Sequence, residues 1–354
     1  RMFIGEKAAE ISSKPVTDLK GLFYPRSIVV IGASGAEGKL GYNVLRNLLH
    51  HGFAGRIYPV NAKHPVIQGV PAYRSIADVP DEIDVAIVIV PAEVVPDAIE
   101  ACCKKGVRYV VVETAGFAEM GDAGRSAQAR IREIIETGGC RLLGPNCSGV
   151  INTHHRMVQS IGLMEELGKG NIGMVAQAGV YAAGILTGLR QVMDFGIVAT
   201  IGNKMDISET DILEFLGKDT NIDVIAMYME DVTSGRKFVD VARRVTAVKP
   251  IIALKSGRTE AGKKAVSSHT ASLAGNDEIN SAAFRQSGII RARDNEHLFG
   301  LMKAFSKQPL PPGDGVLVVT YTGSLGVAAT DTLYLNGLRL AELEPDLTNR
   351  LIQI

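Results

Sequence analysis

The chain has 354 residues in which 38 Lys+Arg balance 38 Asp+Glu, a formal charge of zero that removes any bulk attraction to nucleic acid or an anionic membrane. A hydrophobic share of 46% with 21% charged residues describes a chain that buries real cores, which excludes disorder as the main state; the length suits two or three domains. Aromatics are few at 5%, without Trp, while glycines number 38, a balance expected of an α/β protein whose strand-to-helix turns are made by backbone without Cβ.

After residues 1–19, read as an N-terminal extension, one unit repeats: a short β-branched run, a Gly-containing turn, then apolar residues at helical spacing. The runs Ser27–Ile31, Ile57–Val60, Val85–Val90, Tyr109–Val112 and Arg141–Leu143 are continuous rather than alternating in polarity, as parallel strands covered on both faces require. They predict a Rossmann-like, doubly wound domain over 20–150. A second α/β domain is expected over 165–307, with strands at Ile172–Val175, Gly196–Thr200, Val224–Tyr228 and Pro250–Leu254 and helices near Tyr181–Gln191, Ser208–Leu216 and Arg236–Val245. The stretch 308–315 (QPLPPGDG) permits neither helix nor central strand. Beyond it, a strand at Val316–Thr320, a Gly-rich turn and a helix at Val327–Leu335 open a third α/β domain. Such domains need on the order of a hundred residues to close a core, so the third is expected to continue past residue 354.

The four cysteines, Cys102, Cys103, Cys140 and Cys147, have no C-x-x-C spacing; neither a zinc knuckle nor a thioredoxin pair is expected, and no metal site is. The longest apolar run, Val85–Val90, is too short to span a bilayer, and residues 1–15 hold no continuous hydrophobic region. The expectation is a soluble cytoplasmic protein without membrane or nucleic-acid partners.

The first chemical signal is Gly32-Ala-Ser-Gly-Ala-Glu-Gly38, directly after a strand and before a helix opened by Lys39 and Leu40. Glycine lets backbone approach a phosphate, and the helix start supplies N–H groups and a positive dipole end. The second strand ends in Tyr58-Pro-Val-Asn61 followed by Lys63 and His64, without the carboxylate that grips an NAD ribose. Coenzyme A and NADP are both compatible. The strand ends Val90-Pro91-Ala92 and Glu113-Thr114-Ala115-Gly116 border the same expected crevice. A second helix start that can receive an anion follows a strand at Ala176-Gln-Ala-Gly179. Of seven histidines, His50, His51, His154 and His155 read as surface groups, and His297 as packed on a helix or facing water. His269 stands apart, in a small-residue segment, Ser267-Ser-His-Thr-Ala-Ser-Leu-Ala-Gly275, that reads as a mobile loop, where an imidazole can act as a nucleophile toward phosphorus.

Eight segments in order make the chain resemble the NDP-forming acyl-CoA synthetase superfamily, which includes ADP-forming acetate–CoA ligases and the succinyl-CoA synthetase α subunit: Gly32-Ala-Ser-Gly35, Tyr58-Pro-Val-Asn61, Glu113-Thr-Ala-Gly-Phe-Ala-Glu119, Leu143-Gly-Pro-Asn-Cys147, Gly202-Asn-Lys204, Tyr228-Met-Glu230, Leu254-Lys-Ser-Gly-Arg-Thr-Glu-Ala-Gly262 and Ser268-His-Thr270. The resemblance runs from about residue 20 to the C-terminus. It implies a CoA-binding domain, a flavodoxin-like ligase domain and the start of a third domain. It further implies that a small carboxylic acid, CoA and ATP become acyl-CoA, ADP and phosphate through an acyl phosphate and a phosphohistidine. By the same resemblance His269 is the phosphorylated residue, Glu230 orients its imidazole, Gln177, Ala178 and Gly179 form a phosphate cradle, and Gly32, Ser34, Gly35, Ala36, Gly38, Lys63, Pro91, Thr114, Ala115 and Gly116 contact the coenzyme.

Three departures stand out. Ala176 and Ala178 replace the serines that usually flank the cradle glutamine, and Ala271 stands where glycine commonly follows His-Thr. Nothing in the chain resembles the ATP-grasp domain that would hold ATP or ADP with Mg2+, so the resemblance implies a β subunit or fused domain as partner, and an oligomer. Two alternatives remain: a CoA-binding regulatory or acyl-transfer scaffold whose ligase half has decayed, and an NADP-linked oxidoreductase or redox sensor that rests on the Gly loop alone.

Overall fold

The computed structural model describes residues 18–270 and 275–353, with the side chains of residues 183 and 267–270 outside the description. Contacts divide the chain into one compact unit through Ser306 and a second from Lys307 onward.

In the first unit a short helix α1 (Lys20–Phe23) leads to strand β1 (Ser27–Ile31), helix α2 (Leu40–His50), strand β2 (Arg56–Val60) and a small antiparallel ladder, β3 (Val66–Ile67) with β4 (Val70–Pro71). Then come β5 (Val85–Val88), α3 (Val95–Lys104), β6 (Tyr109–Val112), α4 (Asp122–Gly138) and β7 (Arg141–Leu143). Strands β2-β1-β5-β6-β7 form an all-parallel sheet in that order. Every residue of β1, β5 and β6 is buried, which accounts for their unbroken apolar sequences: helices cover both faces and leave no solvent side for a polar alternation.

The chain then makes a hairpin, β8 (Val150–Asn152) with β9 (Met157–Val158), before β10 (Ile172–Ala176), α5 (Val180–Leu189), β11 (Phe195–Thr200), α6 (Glu209–Lys218), β12 (Val224–Met229), α7 (Gly235–Thr246), β13 (Ile251–Lys255), α8 (Glu260–Thr270), α9 (Asp277–Ser287), β14 (Ile290–Arg291) and α10 (Asn295–Lys307). The second sheet has the order β14-β13-β12-β10-β11-β8-β9. Its first five strands are parallel; β8 runs antiparallel to β11, and β9 to β8.

The hairpin has no counterpart in the sequence reading, and it fastens the two sheets together. Asn152 donates from Nδ2 to Phe23 O at 2.9 Å. Asn47, on α2, donates to Ser160 O and Gly162 O and accepts from Met164 N. The same turn corrects the histidine reading. His154 and His155 are half-buried, and their Nε2 atoms lie 2.7 Å from Gly170 O and Pro25 O; a carbonyl only accepts, so each ring donates there. His51 is also half-buried, with Nε2 3.3 Å from Met164 O, and burial lowers its pKa. These rings close backbone carbonyls at a seam and are not surface groups.

In the second unit β15 (Gly315–Val316) pairs in parallel with β16 (Arg339–Leu340), flanked by α11 (Gly323–Leu335) and α12 (Pro345–Ile352). The expected strand is shorter than Val316–Thr320. Residues 317–320 make no ladder, Val319 is 87% exposed, and none of the unit's described residues is buried.

Candidate functional site

Carboxyl ends of parallel strands collect loops, and here both sheets contribute to one crevice. A cavity of about 610 Å³ is lined from the first sheet by Gly32, Ala33 and Ser34 after β1, Asn61 after β2, Val90 and Pro91 after β5, and Glu113, Thr114 and Ala115 after β6. Its other wall is Gln177, Ala178 and Gly179 after β10, with Asn146, Cys147 and Ser148 between. Eight of the sequence-derived residues therefore meet in one space: Gly32, Ser34, Pro91, Thr114, Ala115, Gln177, Ala178 and Gly179. Gly35, Ala36 and Gly38 continue the loop as exposed residues, and Gly116 lies just past Ala115 with φ +112°. Lys63 is exposed and outside this wall; Asn61 tucks back instead, donating to Ala33 O and accepting from Lys63 N and His64 N.

Local chemistry explains the glycines. At Gly32, φ is +95° and a Cβ would sit 2.1 Å from Ile89 O; a Cβ on Gly41 would sit 2.0 Å from Gly32 O. Those two let α2 dock on the sheet. Gly35 is different, since a Cβ there meets nothing within 4 Å, so packing does not demand it. Helix α2 starts at an extended Lys39 whose side chain makes no capping bond, and α5 starts at Gly179, likewise uncapped. By contrast α6 is capped by Ser208 and α9 by Asn276. Both helix starts that face the cavity thus leave their first N–H groups without a side-chain cap.

The Gln177–Gly179 turn is held from several sides. Gln177 Oε1 accepts from Glu230 N at 2.8 Å and Asp231 N at 3.3 Å, while its Nε2 donates to Asp231 Oδ1 at 2.5 Å. Asp231 in turn accepts from buried Lys204, whose Nζ lies 2.9 Å from Asp231 Oδ1 and 3.0 Å from Glu209 Oε2. In the Gly202-Asn-Lys204 segment, Lys204 braces the Gln177–Gly179 turn through Asp231, and Asn203 donates to Glu119 Oε2 at 2.6 Å, with Glu119 Oε1 accepting from Gly116 N and Phe117 N. At Gly179 a Cβ would come within 2.1 Å of Ser148 Oγ, so the start of α5 is pressed against the turn that leaves the first sheet.

A second cavity of about 620 Å³ adjoins the cradle's other side, lined by Ala178, Tyr228, Glu230, Lys255 and Arg258 among others. Ala178 belongs to both walls. Glu230 is 2% exposed and accepts from Tyr228 OH at 3.3 Å. Lys255 is 1% exposed; burial lowers its pKa, and its Nζ donates to Ser256 O at 2.6 Å. His269 falls in the last turn of α8, not in a loop. The Thr259 hydroxyl accepts from Gly262 N at the helix start, and the helix formers Glu260, Ala261, Lys263, Lys264 and Ala265 outweigh Gly262 and carry the helix through to Thr270. The contacts of the His269 side chain, and Ala271 altogether, lie outside the described residues. The helix itself packs near the Ala118–Met120 turn of the first sheet's side.

Among the residues of this site that escaped the sequence reading are Glu113 as a side chain, Ser148, Asp231, Glu209 and Lys255. Glu113 is 6% exposed; burial pushes its carboxyl up to about 8, partly opposed by the hydrogen bond from Gln159 Nε2 at 2.6 Å. The available signal was a carboxylate ending a wholly apolar strand, a place where the next residue is still in the core. Among the described residues no group of three His, Cys, Asp or Glu could hold a metal ion, and no helix is long and apolar enough to cross a membrane.

Comparison with known proteins follows the same division. Residues 26–153 match a family model described as a CoA binding domain, and residues 169–305 one described as a succinyl-CoA ligase like flavodoxin domain. The chain is 42% identical to acetate–CoA ligase [ADP-forming] II of Archaeoglobus fulgidus, over 100% of this chain and 52% of that one. It is 40% identical to the α subunit of acetate–CoA ligase [ADP-forming] I of Pyrococcus furiosus, over 91% and 71%. The structure of acetyl-coenzyme A synthetase 1 of Ca. Korarchaeum cryptofilum in complex with phosphate and ADP superposes with a TM-score of 0.90 at 38% identity, over 95% of this chain and 73% of that one. The chain thus spans about half the length of the first of these relatives and about seven-tenths of the second.

Proposed function

From the premise that this chain belongs to the NDP-forming acyl-CoA synthetase superfamily, we propose that it is the α-type part of an ADP-forming acid–thiol ligase, making acyl-CoA, ADP and phosphate from a carboxylic acid, CoA and ATP. The observation that carries this reading is the cradle shared by two cavities. Ala178 at the start of α5 faces the Gly32–Ser34 loop on one side and Glu230 on the other, so a phosphoryl group held there is reachable by a coenzyme from one cavity and by an imidazole from the second.

In this reading 20–150 is the CoA-binding domain, 165–307 the ligase domain and 308–354 the start of a third. The Gly32, Ser34, Gly35, Ala36 and Gly38 loop takes the coenzyme diphosphate at the start of α2, with Lys63 reaching it from outside the wall, and Pro91, Thr114, Ala115 and Gly116 flank the pantetheine. Gln177, Ala178 and Gly179 hold the phosphoryl group by backbone N–H groups. His269 carries phosphate toward the nucleotide, and Glu230 holds the far nitrogen of its ring. ATP and Mg2+ are assigned to an ATP-grasp subunit or fused domain outside this chain, in an oligomeric cytoplasmic enzyme. Relatives named for acetate, 4-hydroxybutyrate and feruloyl-CoA support a carboxylic acid as the substrate class.

The test uses the complete enzyme. A panel of carboxylic acids is screened for CoA- and ATP-dependent phosphate release, and His269→Asn is expected to lower acyl-CoA formation on the order of 10³-fold or more. Retained activity in that variant removes the phosphoryl carrier. The alanines at 176 and 178 favour a second reading, a CoA-binding scaffold with a decayed ligase half; acid-labile phosphate on His269 after incubation with ATP argues against it.

A further inference from the structure

Among the described residues three buried side-chain polar atoms lack a hydrogen-bond partner, and Glu113 Oε2 is the one whose residue lines the crevice. A buried, unpaired carboxylate oxygen is costly, and proteins keep such groups where they have work to do. Its setting is specific. Gln159 holds Oε1 and is itself fixed, accepting from Val150 N at 3.0 Å, so the carboxyl plane is set and Oε2 is left over. Thr114, the next residue, accepts from Asn146 N, and two residues on Ser148 meets Gly179. Glu113 therefore lines the crevice beside the Asn146–Ser148 turn, which reaches the start of α5 at Gly179.

Resting on the function proposed above, we infer that Glu113 takes the proton of the attacking coenzyme thiol. The thiol sulfur bonds to the acyl carbon of the acyl phosphate, the acyl carbon–oxygen bond to phosphate breaks with its electron pair leaving on phosphate, and the S–H proton passes to Glu113 Oε2. In reverse, Glu113 returns that proton to the departing thiolate as phosphate attacks. The cavity residues mapped from family motifs supply no other carboxylate, and Gln177 cannot accept a proton near neutral pH.

Burial supports the assignment, because a carboxyl titrating at about 8 is poised between acid and base where a thiol must be deprotonated. The titratable groups about it are Cys147, whose thiol is pushed above its usual range by burial and then by Glu113, and Lys39 in the wall at the Gly-loop end. The first stays neutral, so the pH response belongs to Glu113.

The experiment uses the complete enzyme, comparing wild type with Glu113→Gln in two partial reactions. Phosphorylation of His269 by ATP does not consume the thiol and is expected within threefold of wild type. Acyl-CoA formation from acyl phosphate and CoA is expected to fall a hundredfold or more, with the inflection near pH 8 lost from kcat/KM for CoA and the calorimetric Kd for CoA held within threefold. Gln159→Leu removes the donor that lowers the carboxyl, and is expected to move that inflection to higher pH, a shift that mere loss of packing does not produce. Thioester formation within threefold of wild type in Glu113→Gln, or an unmoved inflection, overturns the inference. A wild-type enzyme that forms no phosphohistidine overturns instead the reading on which it rests.

Discussion

The two helix starts that face the crevice are built in opposite ways. The loop before α2 is exposed from Gly35 through Leu40 and is shaped by backbone alone, with Gly38 at φ +82° and open space beside Gly35. The start of α5 follows a fully buried strand, and its glutamine is bonded to Glu230 N, Asp231 N and the Asp231 carboxylate, with Lys204 behind. An open loop of small residues adapts to a ligand that arrives and leaves whole. A braced one holds a fixed position for a group in transit, where misplacement is costly to rate.

The contrast is broken most severely at Lys204. Replacing it by Met leaves Glu209, which is wholly buried, without its cation, and is expected to cost about 3–5 kcal/mol in urea denaturation. Next comes Glu113, in the wall between the two helix starts. A carboxyl that titrates at about 8 when folded and at 4.5 when unfolded keeps its proton in the native state between those values, so stability is lost as pH rises through that window. Glu113→Gln lacks this loss and is expected to be more stable than wild type by about 3–5 kcal/mol at pH 8 and above, with the two converging toward pH 4.5. A gap that does not narrow on acidification contradicts the buried acid.

Gly179→Val drives a side chain into Ser148 Oγ and is expected to slow phosphoryl transfer about a hundredfold while CoA binding persists, with Ser148→Gly restoring part of the rate. The mildest change is Gly35→Val. Its Cβ meets no protein atom within 4 Å, so the melting temperature is expected to hold while CoA binding by calorimetry weakens about tenfold, roughly 1.4 kcal/mol. Unchanged CoA affinity there shows that the open loop is not where the diphosphate lies.

Much of this was legible because burial on both faces writes itself into β1, β5, β6 and β10 as unbroken apolar runs. The Gly loop and the cradle were legible because a strand, a glycine turn and a helix sit in immediate succession. What escaped was short or depended on distant partners. The strands β8 and β9 have three and two residues, too few to show a period, and the turn between them presents two histidines that look solvent-facing until Pro25 O and Gly170 O arrive from elsewhere. Glu113 reads as a polar strand end because nothing local reveals Gln159, forty-six positions away. His269 reads as part of a loop because small residues surround it, although the preceding helix formers extend α8 across it.

The hairpin that leaves one sheet and edges the other has a thermodynamic consequence. Asn47, Asn152 and His155 bond from one side to the other, so neither half can melt without exposing polar groups that the other half satisfies. Residues from α1 through α10 should therefore come apart in a single cooperative step, and the cleft between the sheets is shaped by a shared frame with no free hinge at this edge.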